Sequence, residues 1–262
     1  MRNLLITLAA MLLPIMAIAQ SPIANISNPE IDLGGKLDQF VPDSIMLTDE
    51  DNQKVDLKSL INKPTIVSFV YFRCPGICSP LMDGMAAAMD NCDMQIGKDY
   101  QAFTISFDPS ETMDLGVKKK SNYIHEMKNP NAKEGWRFFT GDSANIARAT
   151  AAFGFKYKKT GNDYIHAAGI MVVSPKGKIT RYLYGTTFLP FELKMAMVEA
   201  GRGQSGPAIN KVLLFCYAYD PQGQTYALNV TRVSGIMILF IALFIFAYLG
   251  LKPLLRKKVQ KT

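Results

Sequence analysis

Apolar residues in this chain fall in short runs separated by polar turns, and the character of each run sets the element it predicts. "PTIVSFVYF" (64–72) and "QAFTISF" (101–107) are β-branched and aromatic without polar alternation. Such runs predict strands buried on both faces of a sheet. Ser79-Pro80 follows the first run and suits a helix start, with serine as the cap and proline in the first turn. A helix is expected around 112–127, then "WRFFTG" as a short strand ending at Gly141, then a helix capped by Asp142 and running to about Phe153. "GIMVVS" (169–174) and "KITRYLYG" (178–185) flank Pro175-Lys176-Gly177 and predict a hairpin, after which "PFELKMAMVEAG" closes with a helix. Ahead of all these, "SIMLTDEDNQKVDL" reads as a further hairpin. Strands alternating with helices, followed by a hairpin and a last helix, argue for an α/β layer fold. No internal repeat is evident.

Two apolar stretches do not belong to that pattern. Residues 4–18 follow a single charge at Arg2, are interrupted by Pro14 and end in Ala17-Ile18-Ala19, which predicts a secretory signal peptide over 1–19. An uncleaved anchor is the other reading of that segment. Residues 233–251 carry no charge, and their length is close to the ~20 residues that span a bilayer as a helix. Behind them stand Lys252, Arg256, Lys257, Lys258 and Lys261 with no acidic residue. Basic residues remain on the cytoplasmic side, so the expectation is a single-pass protein of a bacterial cytoplasmic membrane. Its domain would face the periplasm and its tail, 252–262, the cytoplasm. Residues 20–40 read as an extended lead-in, 41–201 as the folded domain and 202–232 as linker and juxtamembrane segment.

Charge then changes the picture only at the ends. The formal net charge is +7, and Arg2, Arg232 and the five cationic tail residues account for it, leaving the stretch between them neutral. Nucleic acid is therefore not an expected partner. The four cysteines, 74, 78, 92 and 216, all precede the expected membrane helix, in a compartment where disulfides are permitted. Roughly 210 residues between the two apolar ends suffice for one core without disulfides.

The candidate chemistry lies in "YFRCPGICSP" (71–80). Cys74 follows a buried strand and Cys78 precedes a helix, at the sheet edge where α/β proteins place ligands. A helix N-terminus favours a thiolate, which is both a nucleophile and a soft metal ligand. A metal site wants a third donor, and the chain has two histidines. His125 stands among charges in "KKKSNYIHEMK" and reads as a surface residue; His166 sits where a polar loop enters a buried strand. From the residues alone, a structural disulfide, a redox pair and part of a metal site all stay open. Met82, Met85 and Met89 follow at helical spacing and read as core filler rather than a copper relay. Cys216 lies in an aromatic stretch expected to form a short hairpin; it and Cys92 are either paired or two free thiols.

These residues resemble the Sco/SenC family of thioredoxin-like copper proteins. The likeness begins at "VPDSIMLTDEDNQKVDLKSLINKPTIVSFVYFRCPGIC", continues through "FTISFDPSETMD" and "WRFFTG", and ends with a histidine-bearing loop and "GIMVVSPKGKITRYLYG". It implies a central mixed β-sheet flanked by helices, preceded by the N-terminal hairpin. It also implies copper, as Cu(I) or Cu(II), bound by Cys74, Cys78 and His166, with Asp108 supporting the site. Many members carry an acidic residue directly before the histidine; here that position is Ile165, with Asp163 nearby. The family often carries its anchor at the N-terminus, whereas here it is expected at the C-terminus. The implied function is a metallochaperone for the binuclear copper site of cytochrome c oxidase subunit II. The alternative is a thiol–disulfide oxidoreductase that reduces the cysteines of that site, and in either case another copper carrier or a thioredoxin-like reductant is a further expected partner. A peroxiredoxin is disfavoured because Tyr71 stands where those enzymes place Thr or Ser. A zinc hydrolase lacks an evident activating Glu near the motif, and a blue-copper carrier would need two histidines with one cysteine.

Overall fold

The computed structural model of the protein describes residues 31–161 and 163–205, two strands at 217–220 and 225–228, and residues 234, 235, 238, 239, 241, 242 and 245. The expected signal peptide lies outside the described residues, as do Cys216 and most of the expected membrane span. No helix among the described residues is long and apolar enough to cross a membrane.

The two buried runs become the centre of a five-stranded sheet. β4 (Thr65–Val70) pairs in parallel with β5 (Gln101–Ser106), and β5 in parallel with β6 (Trp136–Phe139). On its other side β4 pairs antiparallel with β9 (Gly169–Val173), which turns into β10 (Ile179–Tyr184). The hairpin turn puts Gly177 at φ 85°, a conformation glycine adopts without a Cβ penalty. The order β10-β9-β4-β5-β6 is thus a mixed sheet, as expected.

Strand alternation assigns one face of this sheet to each side of the protein. On one side Ser68 and Thr104 are fully buried, and each finds a partner: their hydroxyls lie 2.9 Å apart, and Trp136 Nε1 donates to Thr104 Oγ1 at 2.8 Å. Trp136 packs on Tyr123 of α3 (Met113–Glu126). On the opposite side Phe69 meets Phe153 and Phe155. The remaining helices are α1 (Leu57–Leu60), α2 (Cys78–Asp90), α4 (Ala132–Gly135), α5 (Ser143–Ala152) and α6 (Pro190–Gly201). α2 packs against both α3 and α6, and α6 lies over β9 and β10. Asp142 caps α5 as expected, accepting the Asn145 amide at 2.9 Å. Met82, Met85 and Met89 are buried in the core.

Smaller sheets are also present. The expected hairpin forms from β2 (Met46–Thr48) and β3 (Lys54–Asp56), and another from β11 (Tyr217–Asp220) and β12 (Thr225–Leu228). The sequence reading missed a three-stranded sheet of β1 (Asp32–Leu33), β7 (Phe155–Thr160) and β8 (Asp163–His166). His166 therefore ends a strand, not a loop, and part of the lead-in is paired.

α2 approaches the loop after β10 so closely that a Cβ on Gly84 would lie 1.8 Å from the carbonyl oxygen of Thr186. In an open helix, Gly84→Ala would stabilise by about 1 kcal/mol. Here the clash with backbone outweighs propensity, and urea denaturation of Gly84→Ala is expected to show a loss of roughly 1–3 kcal/mol. A more stable variant would contradict this packing.

Candidate metal centre

The site is built where β4 ends. Tyr71 and Phe72 continue the buried strand, Arg73 is exposed, Cys74 is half-buried, and Pro75 and Gly76 are exposed. α2 then begins at Cys78, one residue ahead of the expected cap; its N-cap is Ile77, which makes no side-chain capping bond. Pro80 is tolerated at the third helical position because amides of the first turn have no intrahelical acceptor. Ser79 instead accepts a hydrogen bond from Lys119 Nζ at 3.0 Å.

The free amides at this helix start serve Cys74. Gly76 N–H points to Cys74 Sγ at 3.4 Å, and the backbone N–H and thiol of Cys78 act on that sulfur electrostatically. The Cys78 thiol is the main cause that lowers the pKa of Cys74, to about 4, with those two amides and the Tyr71 hydroxyl adding to it against the opposing effect of burial. Cys78 moves the other way: holding its proton for Cys74, and being fully buried, it is raised well above an ordinary thiol. The helix N-terminus thus stabilises the thiolate of Cys74, outside the helix, rather than that of Cys78 within it.

His166 reaches the same point from β8. Its Nδ1 lies 2.9 Å from the carbonyl oxygen of Ala167. A carbonyl only accepts, so Nδ1 carries a proton and Nε2 is the nitrogen turned toward the cysteines. Nε2 lies 3.4 Å from Cys78 Sγ. Phe107, Phe155 and Tyr71 surround the ring, with centroids 5.1, 5.8 and 6.1 Å away.

The donor atoms of Cys74, Cys78 and His166 all lie within 4.8 Å of one another, the one such group of three among the described residues. Thiolate sulfur and imidazole nitrogen sit about 2.3 and about 2.0 Å from zinc, a first-row ion, so donors sharing one ion stand roughly 3.5–4.6 Å apart. The three side chains fit one ion with small adjustment, and two sulfurs with one imidazole suit a soft metal.

Asp108 takes a different place. Its Oδ1 accepts the Ser110 amide at 2.9 Å, and its charge acts on Tyr164, whose pKa burial and then Asp108 push up to about 12. It is not among the three clustered donors. Asp163 Oδ1 lies 3.5 Å from the Tyr71 hydroxyl. His125 is exposed on α3 and takes no part, as expected. Two contributors went unread in the sequence, Tyr71 beside Cys74 and Glu111 beneath it. Glu111 is buried and accepts the amides of Phe72 and Arg73 at 2.6 and 2.8 Å. The only trace of it in the sequence is an acidic residue inside an Asp-Pro turn.

An α/β sheet with a strand-to-helix dithiol at its edge and an imidazole from a neighbouring strand defines a thioredoxin-like protein with a soft-metal centre. The SCO1/SenC family model matches residues 38–196, more than half of the chain, and the chain belongs to that family. It is 26% identical over 148 residues to the SCO1 protein homolog of Bacillus subtilis (strain 168), covering 55% of this chain and 73% of that one. It is 27% identical over 138 residues to the mitochondrial SCO1 homolog 1 of Arabidopsis thaliana, covering 52% of this chain and 40% of that protein. Among solved structures, a protein of Aquifex aeolicus VF5 superposes with a TM-score of 0.57 at 27% identity, over 64% of this chain and 95% of that one. The copper-bound ScoI of Arabidopsis thaliana shares the fold, with a TM-score of 0.50 at 24% identity over 63% of this chain and 99% of that one.

The two thiols should differ sharply in reactivity. With its folded pKa near 4, Cys74 is a thiolate throughout pH 5–8, whereas an ordinary thiol near ~8.5 is almost wholly protonated at pH 6. Iodoacetamide at pH 6, applied to the reduced metal-free protein, is expected to label Cys74 and spare Cys78. The rate should fall only as pH drops toward 4. Equal labelling of both, or a rate that climbs tenfold per unit up to pH 8, would contradict the assignment.

Proposed function

We propose that this chain carries copper through Cys74, Cys78 and His166 and delivers it during assembly of the binuclear copper site of cytochrome c oxidase subunit II. The observation that carries this reading is the convergence of three donors on one point, with the His166 tautomer already set. Copper is the cargo here. Support also comes from the family: an Arabidopsis ScoI has been crystallised with copper, and the structural neighbour BsSco is described as a member of the Sco family of cytochrome c oxidase assembly proteins. Two thiolates and an imidazole satisfy Cu(I) while leaving one side open to incoming ligands of a partner. Cys74 supplies its charge before the metal arrives; Cys78 gives up its proton on binding, so affinity falls with acid. Asp108, next to Tyr164, supports the pocket from behind rather than the metal itself.

A second reading is favoured by the unequal thiols. An accessible thiolate paired with a buried thiol is the arrangement of attacking and resolving cysteines. Cys74 would attack a partner's disulfide, releasing one partner thiolate and forming a mixed disulfide. Cys78, losing its proton to solvent, would then displace the second, leaving the partner reduced and this chain oxidised. A thioredoxin-like reductant would restore it.

Exchange of His166 separates the two. The reduced chain should take up one copper, and both Cys74→Ser and His166→Ala should weaken uptake by more than the roughly 10–100-fold typical of losing an outer-shell partner. Only Cys74→Ser should abolish exchange with a dithiol substrate. Parent-like copper uptake by both variants in a competition titration would overturn the copper assignment.

We also propose that residues 233–251 anchor the chain in a bacterial cytoplasmic membrane with the domain in the periplasm. Their lack of charge and the five basic residues behind them support this, and Ile238, Leu239, Ile241 and Ile245 are exposed. Protease added to intact spheroplasts should remove the domain; protection until lysis would reverse the orientation.

A further inference from the structure

The loop before Cys74 is held by a residue that contributes no atom to the donor cluster. Glu111, after β5, is buried, and its carboxylate is fully engaged: Oε2 accepts the Phe72 amide at 2.6 Å and the Ser106 hydroxyl at 2.7 Å, while Oε1 accepts the Arg73 amide at 2.8 Å. These are the last two amides before Cys74. The side chain of Phe72 is seated as well, stacked on Phe138 and close enough to Gly116 that a Cβ there would approach it to 3.0 Å. The Cys74 amide donates to the Tyr71 carbonyl at 3.2 Å, closing a turn whose other amides Glu111 holds. Cys78 is fixed by its own helix. The relative position of the two sulfurs therefore depends on where Glu111 pins the strand end.

We propose that Glu111 is the positioning residue of this site: it clamps the backbone of Phe72 and Arg73 so that Cys74 Sγ is presented to Cys78 and His166. Both oxygens of a carboxylate accept, which two adjacent amides and a hydroxyl require. A glutamine has one accepting oxygen and one donating NH2, so it leaves at least one donor facing a donor. Asparagine and aspartate are too short to reach from the same backbone. The clamp serves whatever Cys74 does, metal binding or thiol exchange, and as a positioning role for copper it rests on the copper reading above.

The test compares Glu111→Gln with Ser106→Ala in the reduced, metal-free chain. Ser106→Ala removes the one buried hydroxyl that shares Glu111 Oε2 with the Phe72 amide, and leaves both amide bonds to the carboxylate in place. Hydrogen–deuterium exchange at the Phe72 and Arg73 amides should speed up in Glu111→Gln by roughly tenfold to a hundredfold, the range for losing one hydrogen bond to a charged group. Selective alkylation of Cys74 over Cys78 should collapse in the same variant. Ser106→Ala should keep the parent's exchange at both amides and its selectivity. Parent-like exchange and selectivity in Glu111→Gln would overturn the proposal, as would equal changes in both variants, which would mark general loosening of the core. Neither readout involves metal, so a parent chain that takes up no copper would sink the copper reading while these results still decided the role of Glu111.

Discussion

Phe107 is the contact that joins the halves of the site. It stands just beyond β5 in the central sheet and touches five rings: Tyr71 at 5.5 Å, Phe155 at 5.2 Å, Tyr157 at 4.6 Å, Tyr164 at 5.3 Å and His166 at 5.1 Å. Tyr71 leads to the cysteines, and the other four belong to β7 and β8, in a separate sheet. Among the described residues no strand pairing connects those two sheets, so aromatic packing, with the short link from His166 into β9, sets the distance between the dithiol and the imidazole. Each edge-to-face pair adds about 0.5–1.5 kcal/mol beyond area burial, and a buried phenylalanine lost to alanine typically costs about 3–5 kcal/mol. That seam adds to the chain connection through Ala167 and Ala168 into β9, which pairs with β4, in holding His166 against Cys78.

Within that frame the chemistry is a question of where protons sit. The Ala167 carbonyl fixes one on Nδ1 of His166, the helix start and the Cys78 thiol remove one from Cys74, and Cys78 keeps the last. Cys78 has two acceptors within reach, Cys74 Sγ and His166 Nε2, and one proton to offer. The metal-free centre is thus one deprotonation away from a complete donor set. The same distribution gives an attacking thiolate and a reserve thiol, which is why metal handling and thiol exchange are hard to separate in this architecture.

Much of the central sheet is legible in the sequence because burial on both faces leaves an uninterrupted apolar run, as in 64–72 and 101–107. Asp142 and Pro175-Lys176-Gly177 are legible because caps and turns are decided by local chemistry. The second sheet is hard to read although its period is visible: Phe155 and Tyr157 turn inward while Lys156 and Lys158 are exposed, and Tyr164 and His166 alternate with the exposed Asp163 and Ile165. The lysines made a half-buried strand resemble a polar loop. The three donors come together only through the resemblance to the family, since the residues alone leave a disulfide, a redox pair and part of a metal site open. Glu111 does not, because a buried carboxylate is justified only by backbone amides that come together in three dimensions.

By the copper proposal, Cys74, Cys78 and His166 share one ion. X-ray absorption at the copper edge of the reduced, copper-loaded chain tests it most directly. Two sulfurs and one imidazole nitrogen are expected as nearest neighbours of the copper, with the more distant imidazole signal lost in His166→Ala. A shell containing sulfur alone, or an imidazole signal that survives that substitution, would contradict it.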